Sequence, residues 1–198
     1  MATRYNLADA NLNLNAAGSA LMNSLQNFPR IIFLAVTFLM VPPGIGSELL
    51  TDAEDFFEAT FGDLQEELDL MQEEGKSHLL VMFETKDCPW CKRMKKQVLN
   101  RVKVQDYFQE RFRIISLDAE GDVLLTDFNG EDILEKDFAL KVLRVRATPV
   151  FVFFEPSGDI ATKYTGAMKN AEDFILLGQY VDERRYEQMG FNKYKRNF

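Results

Sequence analysis

The stretch Leu79-Leu-Val-Met-Phe-Glu-Thr-Lys-Asp-Cys-Pro-Trp-Cys-Lys-Arg-Met-Lys-Lys96 decides how this chain is read. The apolar run Leu79 to Phe83 reads as a buried strand, the polar residues after it as a turn, and the basic segment beyond as a helix. Both cysteines of the protein lie here, as Cys88-Pro89-Trp90-Cys91. Cysteines at this spacing share one side of a first helical turn, where their sulfurs can close a disulfide ring without moving the backbone. Pro89 suits the first helical position, where a missing N–H costs nothing. Cys88 is then expected at the helix N-terminus, where unpaired N–H groups, the positive end of the dipole, and Lys92, Arg93, Lys95 and Lys96 stabilise a thiolate. The expectation is a nucleophilic Cys88 and a more buried Cys91.

Working outward, a chain of 198 residues, 46% of them hydrophobic, can bury one good core, so one domain with extensions is expected. A net charge of −8 argues against a nucleic-acid partner. Two cysteines and one histidine fall short of a disulfide scaffold and of a four-ligand zinc site, which leaves redox chemistry and calls for no metal or cofactor.

A second motif, Thr148-Pro149, precedes the apolar run Val150 to Phe154 and the turn Glu155-Pro156-Ser157-Gly158. Together with the Cys-x-x-Cys it resembles the thioredoxin superfamily. The resemblance implies a thioredoxin fold, a mixed central α/β sheet flanked by helices, with Pro149 in cis opposite the cysteines. A proline so placed would turn the backbone of Thr148 outward, free to pair with an extended substrate segment.

Residues 1–30, rich in Asn, Ala and Leu, read as disordered or as upstream of the true start, for which Met22 is a candidate. Ile31 to Val41 is an apolar run with the length of a signal-peptide core, short of the roughly 20 residues of a membrane span. Gly44 and Gly46 offer small residues for cleavage before Ser47. An uncleaved anchor or a buried helix is the alternative, and membrane contact is expected only through this segment. The expected divisions are 1–47, a domain over 48–183, and a basic-aromatic extension over 184–198.

Between Glu48 and Glu74 there is no Lys or Arg, and Phe56, Phe57, Phe61, Leu64, Leu68 and Met71 recur at helical spacing, so an amphipathic N-terminal helix with an acidic outer face is expected. Val104 to Arg111 reads as helix and Phe112 to Leu117 as strand. Asp118 to Asp132 is longer than a simple connection, and with the turn signal Asn129-Gly130 it predicts an added hairpin. Its acidic residues do not fit a calcium loop, because Val123 or Asp132 would stand where such a loop needs glycine. Ile133 to Val145 has helical periodicity, Asp159 to Thr165 reads as the last strand, and Asn170 to Val181 as a helix. The tail carries Tyr186, Met189, Phe191, Tyr194 and Phe198 among basic residues, and packing against the domain is expected.

The run from Asp118 to Gly166 is similar to SoxW-like exported thioredoxins, a branch associated with sulfur oxidation and periplasmic electron delivery. Relative to ordinary thioredoxin, Pro89-Trp90 replaces Gly-Pro, Asp87 replaces a tryptophan, and Met82 stands at the position of the buried aspartate. Glu84 is the nearest strand carboxylate and a candidate to relay the proton of Cys91, with Asp87 as the weaker alternative. Trp90 is expected to be exposed and to touch partners. His78 is expected to face solvent in a structural role. The reading is an exported, periplasmic thiol:disulfide oxidoreductase: Cys88 attacks a substrate disulfide, Cys91 resolves the adduct, and Thr148, Pro149 and Trp90 bind the substrate. By resemblance, a membrane thiol-transporter of the CcdA/DsbD type restores the dithiol, and the partners are disulfide-containing proteins of sulfur oxidation or cytochrome maturation. The alternatives are a disulfide oxidase or isomerase, and a non-catalytic binding module or chaperone.

Overall fold

The computed structural model of the protein describes residues 49–198. The stretch expected to be disordered and the signal-like run Ile31 to Val41 lie outside them. Among the described residues, no helix is long and apolar enough to cross a membrane.

Strand β1 (His78–Glu84) is central, because its near-continuous apolar sequence suits burial on both faces. It pairs in parallel with β2 (Phe112–Asp118) and antiparallel with β5 (Val150–Phe154), which pairs in turn with β6 (Ile160–Thr165). The sheet order is β2-β1-β5-β6, and a separate hairpin is made by β3 (Leu124–Thr126) and β4 (Asp132–Leu134). Alternation along the strands divides the core into two layers. Leu80, Met82, Phe112, Ile114, Phe151 and Phe153 face α2 (Pro89–Met94), α3 (Val102–Arg111) and α5 (Ala171–Asp182), and the cysteines belong to this layer. Leu79, Val81, Phe83, Ile115, Val152 and Phe154 face α1 (Leu64–Glu73) and α4 (Glu135–Asp137). Phe108 stacks on Phe174 with centroids 4.4 Å apart, which fastens α3 to α5.

The acidic segment is not one helix. Glu54–Phe56 is a single 3₁₀ turn, and from Phe57 to Gly62 the chain leaves helical geometry. There Glu58 donates its N–H to the Ile114 carbonyl at 2.8 Å and accepts the Ile114 N–H on its carboxylate at 2.6 Å, so the segment covers the open edge of β2. Gly62, at φ +84°, makes the bend, and the Asp63 side chain then caps α1 by accepting the N–H groups of Gln65 and Glu66. Phe56 consequently packs in the cysteine layer, Leu64, Leu68 and Met71 in the opposite one, and Phe61 is 96% exposed.

The added hairpin is present, but it takes Ile133 and Leu134 into β4, so α4 starts at Glu135 and continues only as a wide π-type turn over Phe138–Val142. Pairing with Leu124 and Leu125 outcompetes helical periodicity at those two residues. The C-terminal tail carries α6 (Phe191–Lys195), with Tyr194 buried in the cysteine layer and the Tyr180 hydroxyl donating to the Met189 carbonyl at 2.7 Å.

Candidate active site

The turn after β1 delivers Cys88 to the N-cap of α2. Its N–H donates to the Thr85 carbonyl at 3.1 Å, its backbone is extended at φ −72° and ψ 106°, and Pro89 takes the first helical position. The cap acceptor is sulfur: Cys88 Sγ receives the N–H of Cys91 at 3.0 Å, where Ser or Asp would usually present oxygen. Cys88 and Cys91 are joined in a disulfide with Cα atoms 5.3 Å apart. Cys88 is 5% exposed and Cys91 1%, so both are buried and Cys91 is slightly the deeper, as expected of it. Past Met94 the helix widens into a π-type turn over Lys95–Leu99, a local feature often found beside functional sites.

Antiparallel pairing of Phe83 with Val150 brings the start of β5 beside this turn. The Thr148–Pro149 bond is cis. Thr148 Oγ1 lies 3.5 Å from Thr85 Oγ1, and the Pro149 carbonyl accepts the Gly166 N–H at 2.8 Å. Among the described residues, Thr148 has no backbone hydrogen-bond partner, so its edge stays open.

Two clefts flank the loop, and Thr85 lines both. The first, about 510 Å³, is bordered by Cys91, Glu84, Lys92, Lys95 and Ser116. In it Glu84 Oε1 receives Lys95 Nζ at 2.8 Å and Ser116 Oγ at 2.9 Å, and Lys95 also reaches Glu54 at 3.0 Å. Burial alone would lower the Lys95 pKa, yet the bonds from Glu84 and Glu54 outweigh it and raise the ammonium above the ordinary lysine value. Glu84 therefore shares a cleft with Cys91, held by partners the sequence reading did not single out. Ser116, paired with Met82 and set among the apolar Ile114, Ile115 and Leu117 of β2, was the available signal. The second cleft, about 450 Å³, runs from Thr148 along Ala147, Arg146 and Val145 to Leu140 and the added loop at Ala119 and Glu120.

Trp90 is 55% exposed, with the Arg93 guanidinium 5.6 Å from its ring centroid. Asp87 is exposed and lines neither cleft. His78 overturns its expectation: it is 2% exposed, at the far end of β1 from the cysteines. Its ring nitrogens lie 3.0 Å from the Tyr186 hydroxyl and 3.1 Å from Ser77 Oγ. Burial, with the nearby Arg184 charge, pushes its pKa down to about 4. The tail residue Tyr186 is what covers it, a long-range contact that strand position alone does not reveal. No cluster of His, Cys, Asp or Glu able to hold a metal occurs among the described residues.

A family model described as a thioredoxin-like domain matches residues 64–182. No curated protein matches the chain in sequence. Among solved structures, the chain is similar to a thioredoxin-fold protein from Helicobacter pylori, with 18% identity and a TM-score of 0.55 over 73% of this chain and 92% of that one. It is also similar to a putative disulphide-isomerase from Bacteroides thetaiotaomicron, at 26% identity and a TM-score of 0.49 over 68% and 94%. The C-terminal domain of DsbD from Neisseria meningitidis matches at 21% identity and a TM-score of 0.44 over 62% and 94%.

Proposed function

This chain belongs to the thioredoxin-like domain family, and from that premise we propose that it is a thiol:disulfide oxidoreductase working through Cys88 and Cys91. The observation that carries the reading is the Cys91 N–H aimed at Cys88 Sγ across 3.0 Å. In the reduced protein the same N–H, the α2 N-terminus and the ammonium of Lys92, which has no carboxylate partner among the described residues, favour a thiolate at Cys88. That thiolate attacks one sulfur of a substrate disulfide, forming a mixed disulfide and expelling the other sulfur, which takes up a proton. Cys91 then loses its proton, with Glu84 as the relay at the shared cleft, and attacks Cys88 Sγ. The substrate leaves as a dithiol, carrying two electrons, and the protein is left as the Cys88–Cys91 disulfide. A donor dithiol repeats the exchange in reverse, and no cofactor or metal enters.

The open edge of Thr148, next to Pro149, supports a substrate segment laid alongside it, and the exposed ring of Trp90 supports contact with the protein that carries the segment. Export to the periplasm rests on the run Ile31 to Val41, and the SoxW-like branch on the sequence from Asp118 to Gly166. On that branch the donor is a membrane thiol-transporter of the CcdA/DsbD type, and the acceptors belong to sulfur oxidation or cytochrome maturation. The test is reduction of insulin by dithiothreitol, with the protein as catalyst. Acceleration that is lost in Cys88→Ser supports the reading, whereas equal rates for the two proteins leave only a binding module. Titration of the Cys88/Cys91 couple against glutathione sets the direction. A potential near −270 mV fits a reductase, and one near −120 mV would make it an oxidase.

A further inference from the structure

Cations surround the disulfide of a protein that is acidic overall. The chain carries −8, yet Lys86, Lys92, Arg93 and Arg146 gather about the cysteines, and none of them has a carboxylate partner among the described residues. Lys86 and Lys92 line the cleft that holds Cys91, and Arg146 lines the cleft that runs from Thr148. Among the described residues, Arg93 bonds the neutral amide of Gln97 and lies beside the exposed Trp90 ring. The carboxylates of the same surface are partly spent internally: Glu84 and Glu54 on Lys95, and Asp137 on Lys141. Asp87, Asp118 and Glu120 remain, three against the four free cations.

Elsewhere Arg113 pairs with Glu67 and Glu74 and Lys76 with Glu58 and Glu74, while Lys96, Arg144, Lys163, Lys169, Lys193 and Arg196 also lack a carboxylate partner among the described residues. What sets the four cations apart is therefore their place beside the cysteines and the Thr148 edge. Leaving cations unpaired beside the reactive sulfur creates a local positive field against a negative background, which speeds encounter with an anionic partner and slows it with a cationic one. The same field lowers the cost of a thiolate at Cys88. Because the cations flank both a disulfide and an open strand edge, the ligand that meets all of these features at once is a polypeptide.

Resting on the exchange reading above, we propose that the preferred substrates are proteins whose disulfide lies in an extended segment rich in Asp and Glu, read by Lys92 on one side of the cysteines and by Arg146 on the other. Arg146 stands two residues before Thr148, so a strand laid on Thr148 runs past its guanidinium.

The test uses three peptides of one length, each with a single intramolecular disulfide flanked by Glu, Ser or Lys, and measures second-order reduction rates with the reduced protein. The expected order is Glu, then Ser, then Lys, with about tenfold between the extremes at low salt, shrinking to within about twofold at 0.5 M NaCl as screening shortens the field. A double variant, Lys92→Glu with Arg146→Glu, is expected to reverse the order. Equal rates for the Glu and Lys peptides, with the Ser peptide still reduced, overturn the charge preference and leave the exchange reading intact. Failure to reduce any peptide overturns both. Equal rates together with cosedimentation of the oxidised protein with phosphatidylglycerol vesicles also overturn the proposal, by assigning the cations to a membrane surface.

Discussion

The N–H of Cys91 meets Cys88 Sγ at 3.0 Å, so the residue that would resolve an adduct also stabilises the sulfur that forms it. A side-chain change at Cys91 leaves this N–H in place. In Cys91→Ser, Cys88 is therefore expected to stay reactive and to accumulate as a mixed disulfide with its substrate, visible as a reducible band shift. Cys88→Ser should trap nothing. Iodoacetamide kinetics on reduced Cys91→Ser are expected to give a thiol pKa below the free-cysteine value of about 8.5; a value at or above it would remove the helix-terminus argument.

Glu84 accepts from both Lys95 and Ser116 while bordering the cleft of Cys91. Glu84→Gln keeps the shape and deletes the carboxylate proposed as the proton relay. Substrate turnover near pH 6.5 is expected to fall by roughly tenfold or more and to recover toward pH 9, where solvent can deprotonate Cys91 unaided. A uniform loss at every pH would instead indicate a structural role for the carboxylate.

His78 adds a pH dependence to stability. Its folded pKa is about 4 against an ordinary 6.5, so between these values the unfolded chain binds the extra proton. Stability from this group is complete above pH 6.5 and is lost as pH falls toward 4, by up to roughly 3 kcal/mol. Arg184, Glu155, Asp182 and Tyr186 set the local field. Urea midpoints at pH 7 and pH 4.5 measure the effect, and in His78→Gln the difference between them should shrink.

Gly178 of α5 packs closely against Tyr107 and Phe108 of α3. A Cβ there would stand 2.7 Å from the Tyr107 ring and 3.0 Å from the Phe108 ring. Phe108 is stacked on Phe174 and Tyr107 carries the Arg111 guanidinium 4.3 Å from its ring centroid, so neither yields easily. Gly178→Ala would gain up to about 1 kcal/mol of helix propensity but is expected to lose about 1–3 kcal/mol to overpacking. Denaturant melts should show net destabilisation.

Much of this architecture can be read from local pattern. The apolar strands, the Cys-x-x-Cys at a helix start, Thr148-Pro149 and the Asn129-Gly130 hairpin all declare themselves within a few residues. What escaped depends on contacts distant in sequence. The helical spacing of Phe56 to Met71 is interrupted because the edge of β2 takes the backbone of Glu58, and Ile133 and Leu134 leave their helical pattern because Leu124 and Leu125 pair with them. His78 is hidden by Tyr186, more than a hundred residues later. Glu84 was visible as a carboxylate near the cysteines, but its hold on Lys95 and Ser116 required helix and sheet to be assembled first.

Thr85 lies on both clefts, with Glu84 and Cys91 bordering one and Arg146 and Thr148 bordering the other. With Lys92 on the first cleft and Arg146 on the second, a client read by both would have to pass over Thr85. A bulkier residue at that position would then alter client choice and thiol turnover together.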